Sequence, residues 1–250
     1  MATARMSAAS PAPWGAELRE FNIAERIIMM SGSAVFTGLT DSGCHEIASG
    51  ARARTFARDE LLFMQGQPAG SMVMLHDGSV KHTQLSSNGD EVILRMSGKG
   101  DPVSIPASPL SSSHTCSARA VEQCHASVWE YSRLKDLLAK YPRIGINTSQ
   151  ILSSRLDELQ ERFREVATEK VAQRLAFALL RLMKQVGKPA MGGVEVSLSR
   201  EELAQTTGTT LFTISRILSK WGEEGFVLPR REAVIVLDAK RLAQAGSARD

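Results

Sequence analysis

The stretch LAQTTGTTLFTISRILSKW, residues 203 to 221, constrains the fold of this chain more than any other. It reads as two short helices broken at Gly208, with Ser199 capping the first through Glu202 three residues on, and Thr209 or Thr210 capping the second. Helices that cross near a right angle need a small residue inside the first, a backbone able to turn, and a branched apolar residue pinning the second. Ala204, Gly208 and Ile214 supply these in order, and Ile217 and Leu218 continue the buried stripe. An ordinary αα-hairpin in a core shares part of that pattern. The opposite side, however, carries Thr210, Leu211, Phe212, Thr213, Ser215, Arg216 and Lys220. In a DNA major groove, Arg216 suits bidentate contact with guanine, Ser215 a base edge or phosphate, and Leu211 or Phe212 a thymine methyl. Thr209, Thr210, Thr213 and Lys220 suit the phosphate side. Phe212 fits a core contact within the domain equally well.

The sequence after that helix, GFVLPRREAVIVLD, reads as two short strands around a polar turn at Pro229 to Glu232. Behind a helix-turn-helix such a hairpin is a wing, with Arg230 and Arg231 at a tip that either reaches phosphates or is simply solvated. The charge distribution agrees. Residues 168 to 250 hold 13 Lys and Arg against 9 Asp and Glu, whereas the first 167 hold 17 against 18. A basic C-terminal third beside a neutral remainder suits a nucleic-acid module attached to something else.

Between Pro142 and that module, Leu152, Leu156, Leu159, Phe163 and Val166 are spaced four, three, four and three, with Asp157, Glu158, Arg162 and Arg164 around them. That is a heptad seam, and a helix carrying it wants a partner of its own kind. The seam fails at Lys170 and Gln173, where a new face of Val171, Leu175, Leu179 and Leu182 takes over, so a hinge is expected at Ala167 to Glu169. A long helix packed on its own domain is the alternative.

From about Phe56 to Tyr131 the chain consists of short β-rich segments separated by turn signals such as MQGQPAG, HDGSV, SSNGD and SGKGD. In SMVMLHDGSVKHTQL, Val73 and Leu75 face one way and Met72, Met74 and His76 the other, the spacing of a jelly-roll-like barrel rather than a parallel sheet. The expected class is therefore α+β: a loose tail over residues 1–30, a sensor barrel over 31–142, a dimerisation helix over 143–167 and a winged helix-turn-helix over 168–250. With 43% hydrophobic and 23% charged residues, no apolar run approaching a membrane span and no apolar signal core near the start, the expectation is a cytoplasmic globular protein without a membrane partner. Cys44, Cys116 and Cys124 are too few and too scattered for a disulfide scaffold. A phosphate-binding Gly-rich loop, a nucleophile elbow and metal-ligand spacing are missing from the sequence, which argues against an enzyme. The Ser-rich SPLSSSHT, from Ser108 to Thr115, reads as a flexible loop.

In this order, barrel, dimer helix and winged helix-turn-helix, the chain resembles the CRP/FNR family of bacterial transcription regulators. The resemblance runs from about Val35 to Leu242, through AVFTGL, ARARTFARDELLFMQGQPAG, HDGSVKHTQLSSNGDEVILRMSGKGD, YPRIGINTSQILSSRLDELQERF and TTGTTLFTISRILSKWGEEGFV. It implies a cyclic-nucleotide-binding-like barrel, a homodimer, a palindromic duplex DNA site read in successive major grooves, and RNA polymerase as a further partner. The departures bear on the signal. Where members that bind cyclic AMP have a Gly-Glu pair and an Arg-Ser pair, this chain has Ser104-Ile105 and His114-Thr115, and where they offer a Thr-Ser pair from the dimer helix it has Leu159-Gln160. Losing a cation and a carboxylate together should cost a ligand several kcal/mol, so cyclic AMP is not the expected signal. Three scattered cysteines do not reproduce the four ligands of the family's iron–sulfur members, and no such cluster is expected. Phe212 also replaces the glutamate of the family's Glu-Thr-Ile-Ser-Arg recognition helices.

Three signals remain open: a small molecule, a gas bound through haem, or a redox change at Cys116 and Cys124. Candidate pocket residues are Met72, Met74, Ser104, Ile105, His114, Thr115, Leu156 and Leu159. Candidate haem ligands are foremost His76, His82, His114 and Cys116, then His125, Cys124, Met72, Met74 and Met96. A cyclic-nucleotide response and constitutive DNA binding are the alternatives.

Overall fold

A computed structural model describes residues 23–105 and 113–247. Two four-stranded antiparallel sheets form the barrel. One runs in the order β1 (Arg52–Phe56), β8 (Cys124–Glu130), β3 (Ser71–Asp77), β6 (Pro102–Ser104). The other runs in the order β2 (Leu61–Phe63), β7 (Ser117–Ala120), β4 (Val80–Leu85), β5 (Glu91–Ser97). The alternation in β3 sorts its side chains as expected. Val73 and Leu75 enter the interior with Phe56, Leu62, Val80 and Ala126.

Met72 and Met74 face the other way, and there the expectation of a ligand pocket is corrected. They lie in a closed core with Phe36, Ile47, Trp129, Leu134 and Ile144, under helices α1 (Ile23–Ser31), α2 (Asp41–Ser49) and α3 (Tyr131–Lys140). Both faces of this sheet are covered, so the two methionines fill space between sheet and helices. Trp129 locks that layer by donating from Nε1 to the Ile47 carbonyl at 2.9 Å. The loose tail expected through residue 30 is corrected as well. Residues 23 to 30 belong to α1, because Ile27 and Met30, one turn apart, pack into this core and Arg26 donates to the Ala51 carbonyl at 2.8 Å. The rest of that tail, 1–22, lies outside the described residues, as does 106–112, most of the Ser-rich loop.

Helix α4 spans Pro142–Thr168, with proline in its first turn, where no intrahelical N–H is needed. One face packs on the barrel's helical layer through Ile144 and Ile151, and Asn147 Nδ2 donates to the carbonyls of Val35 and Thr37, both at 2.9 Å. The seam residues Leu152, Leu156, Leu159, Phe163 and Val166 face solvent, between 42% and 76% exposed. Glu169 and Lys170 are extended, so the helix breaks at the end of the expected hinge. Among the described residues no helix is long and apolar enough to cross a membrane.

The C-terminal unit consists of α5 (Val171–Val186), β9 (Lys188–Ala190), β10 (Gly193–Val196), α6 (Arg200–Thr207), α7 (Leu211–Glu223), β11 (Val227–Pro229), β12 (Val234–Val236) and α8 (Ala239–Ser247). Its sheet runs β11-β12-β10-β9, which places the expected wing hairpin beside a second hairpin that the sequence reading did not identify. Leu175, Leu179, Leu203, Ile214, Leu218, Trp221 and Phe226 form the core. Ile93 and Met96 of β5 belong to the same cluster, so this unit is seated on its own barrel. Lys81 and Glu202, both largely buried, pair at 2.7 Å across the junction, and a side chain at Gly98 would collide with the Gln185 carbonyl. Arg162 of α4 donates to the carbonyls of Ile93, Leu94 and Thr206, tying α4, β5 and the last turn of α6 together.

Candidate nucleic-acid interface

Each end of the helix pair is fixed by local chemistry. Ser199 Oγ accepts from the Glu202 amide and Glu202 returns a carboxylate to the Ser199 amide at 2.9 Å, a complete capping box at the start of α6. Gly208 ends α6 in the left-handed region at φ 63°, where a side chain would strain the backbone. Thr210, rather than Thr209, then caps α7 through the Thr213 amide at 3.3 Å, and its hydroxyl also meets that of Thr213 at 3.0 Å.

Helix α7 is two-faced. Ile214, Leu218 and Trp221 are buried, with Ile217 packed beside them. Leu211, Phe212, Arg216 and Lys220 are exposed, and Thr213 and Ser215 half-buried. Phe212, which the sequence left balanced between core and groove, is 82% exposed. Arg216 and Phe212 stand one turn apart on this free face. Lys220 is 3.9 Å from Glu224, an exposed pair too weak to hold it back from a phosphate.

The wing tip joins this face. A cavity of about 520 Å³ runs between the start of α6, the exposed side of α7 and the tip, lined by Arg200, Leu211, Ser215, Ser219 and Arg231, with the carboxylates of Glu201 and Glu232 at its edge. Arg200 and Ser219 were missed in the sequence; the signal for Arg200 was its place directly after the Ser199 cap, at a helix N-terminus where donors already gather. Arg231 is almost wholly exposed and lies 3.9 Å from Glu232, and Arg230 lies 3.9 Å from Glu195. The face thus offers cations, helix N-terminal amides and two apolar side chains, the set that phosphates and base edges require.

The sensor candidates do not converge on one site. His76 bonds Ser127 Oγ at 2.7 Å in the sheet that carries the helical layer, and His125 bonds Thr55 at 3.1 Å. His82, His114 and Cys116 do gather inside the barrel around Phe63. His114 stacks on the Phe63 ring at 3.8 Å, and His82 meets Ser97 Oγ at 3.0 Å on one nitrogen and Cys116 Sγ at 3.9 Å on the other. His82 is thus engaged at both nitrogens, and His114 lies flat on a phenyl ring. Burial holds His82 well below the usual imidazole range, and burial raises the Cys116 thiol; burial with Glu122 nearby pushes Cys124 up to about 11. Little thiolate is then present at neutral pH.

The remaining pocket candidates are otherwise engaged. Ser104 Oγ donates to the Ser71 carbonyl at 2.9 Å, and the exposed Thr115 accepts through its carbonyl from Gln84 at 3.2 Å. Ile105, directly after β6, is half-buried. Leu156 and Leu159 stand on the solvent-facing seam, which corrects their placing in a pocket of this chain. Met96 belongs to the core of the C-terminal unit. What the sequence missed is a pair of arginines, Arg95 of β5 and Arg155 of α4, beside Cys116 and His82, contributed by elements other than the one that carries His114.

Comparison with known proteins agrees with this division. Residues 53–141 match the model of the cyclic nucleotide-binding domain, and residues 173–245 that of the Crp-like helix-turn-helix domain. The chain is 23% identical over 218 residues to a CRP-like cAMP-activated global transcriptional regulator of Mycobacterium tuberculosis, covering 86% of this chain and 97% of that one. Its fold resembles FixK2 from Bradyrhizobium japonicum, with TM-score 0.70 at 20% identity, over 80% of this chain and 99% of that one. It also resembles the c-di-GMP responsive global regulator CLP of Xanthomonas campestris, with TM-score 0.69 at 24% identity, over 80% and 100%.

Proposed function

We infer, for a chain that belongs to the CRP/FNR family of transcription regulators, a homodimeric regulator that reads a palindromic DNA site and answers to a signal other than cyclic AMP. The observation that carries DNA reading is the division of α7, whose buried Ile214, Leu218 and Trp221 fix the helix while Leu211, Phe212, Arg216 and Lys220 stay free. Arg216 takes a guanine edge, Leu211 and Phe212 take thymine methyls, and Thr210, Thr213, Lys220, Arg230 and Arg231 hold phosphates. The bare seam of α4 supports pairing with a second copy, which sets two recognition helices about 34 Å apart on one face of the duplex. RNA polymerase is the further partner of such a complex.

His114 in place of the phosphate arginine, and Ser104 bonded within its own sheet, support a signal other than cyclic AMP. The engagement of both His82 nitrogens argues against haem ligation there, and the raised thiols argue against a switch at Cys116 or Cys124. Selection from a pool of randomised duplexes tests the reading. It predicts enrichment of an inverted repeat, and a pool left unenriched over several rounds would overturn it.

A further inference from the structure

Where the barrel, α4 and α5 meet, the fold leaves a cavity of about 340 Å³, within the range of small-molecule sites. Arg95 of β5, Asp101 before β6, Ser154, Arg155 and Glu158 of α4, and Gln185 of α5 line it. At about 100° per residue, Ser154 and Glu158 stand on the face of α4 opposite Leu152, Leu156 and Phe163. A second copy covering the seam therefore leaves the Ser154 and Glu158 side of this cavity open, with Arg155 at the edge of the seam beside Leu159.

Its charges are unevenly satisfied. Asp101 accepts from the Gly98 amide and Glu158 from Gln185 Nε2, both at 2.9 Å. Arg95 donates to Ser97 Oγ at 2.5 Å and to the Val103 carbonyl at 3.0 Å, and Arg155 to the Pro102 carbonyl at 2.5 Å. Neither guanidinium forms an ion pair among the described residues. Burial, then the charge of Arg155, pulls Arg95 down to about 9. Asp101 and Glu158 offset the two partly desolvated guanidiniums at longer range, yet each guanidinium keeps N–H donors that an oxyanion entering the cavity can meet.

We propose that this cavity binds a small metabolite through a carboxylate or phosphate group held by Arg95 and Arg155. Gln185, on the wall supplied by α5, makes occupancy sensitive to the placement of the DNA-binding unit, so a ligand that favours one placement shifts DNA affinity. That coupling rests on the DNA-binding reading; the binding itself does not.

The test is calorimetric titration of the full chain with inorganic phosphate and, separately, with succinate, at fixed ionic strength. One site per chain for at least one of them is expected, and the one that binds tells a phosphate ligand from a carboxylate ligand. Arg155→Gln should weaken it at least ten-fold. Ser154→Trp, which fills the cavity from an exposed position and keeps both arginines, should abolish it; this variant carries the test if Arg155→Gln does not fold. No heat with either anion at millimolar concentration, or equal binding in the Ser154→Trp protein, overturns the site. DNA affinity unchanged at saturation overturns the coupling, whereas no DNA binding under any condition refutes the earlier reading and leaves the titration to stand by itself.

Discussion

Replacing Leu156 and Phe163 together by glutamate should leave the chain monomeric and folded. Leu156 is 54% and Phe163 76% exposed on α4, so neither supports the core of its own chain. Full burial of such a side chain contributes about 1.5–3 kcal/mol, so covering the exposed parts contributes about 1–1.5 for the leucine and about 1.5–2 for the phenylalanine. Each occurs twice in a symmetric pair, giving roughly 5–7 kcal/mol, and at about 1.4 kcal/mol per factor of ten the dissociation constant rises by about four orders of magnitude. Four carboxylates facing one another in the seam add to this. Sedimentation equilibrium at micromolar concentration should find a dimer for the parent chain and a monomer for the double variant, with thermal unfolding of the separated chain retained. A dimer that survives both substitutions would show that the seam is not the interface.

Arg216→Ala should lose discrimination at one base pair of each half-site, about 1–3 kcal/mol, with the melting curve unchanged; equal selectivity by the variant would remove Arg216 from the reading set. If Phe212 reads a thymine methyl, replacing that thymine by uracil should weaken the parent chain about four-fold, from about 0.8 kcal/mol for a lost methyl contact, and leave Phe212→Ala unaffected. Trp221→Ala should destabilise the C-terminal unit by about 3–5 kcal/mol, since that ring is buried in its core, and urea unfolding would expose the error if the midpoint stayed put. Stability should also fall on acidification. His76 is lowered from 6.5 to about 4 by burial, then by Arg26 and His125, so below pH 6.5 the unfolded chain binds the proton that the folded chain refuses. The loss from this histidine should therefore accumulate between pH 6.5 and about 4, and His76→Asn should make that part of the urea-midpoint profile shallower, with the buried His82 keeping the remaining slope.

The C-terminal module was legible because its signals are local. A cap, a left-handed glycine and a 3.6-residue stripe lie within twenty-odd residues, and Ser199, Gly208, Thr210 and Ile214 each took the expected role. The heptad on α4 was legible for the same reason. The position of Met72 and Met74 was not, because alternation in a strand says which side chains share a face and not what covers that face. Here α1, α2 and α3 cover it, and α1 falls partly in a stretch that looked like a tail. Residues joined across more than fifty positions were equally hidden. Arg155 reaches the Pro102 carbonyl only after α4 has packed on the barrel, and Lys81 reaches Glu202 only after the barrel and the C-terminal unit have closed on each other. The hairpin of β9 and β10 was missed because KPA and GVEV are too short to show a period.

The most direct measurement of the central claim varies the spacing between the two half-sites of a selected duplex while recording affinity and stoichiometry for the full chain. Two chains per duplex are expected, with tight binding lost when about five base pairs, half a helical turn, are inserted, because the second recognition helix then faces the wrong side of the DNA. Affinity indifferent to that insertion, or one chain per duplex at saturation, would contradict the account.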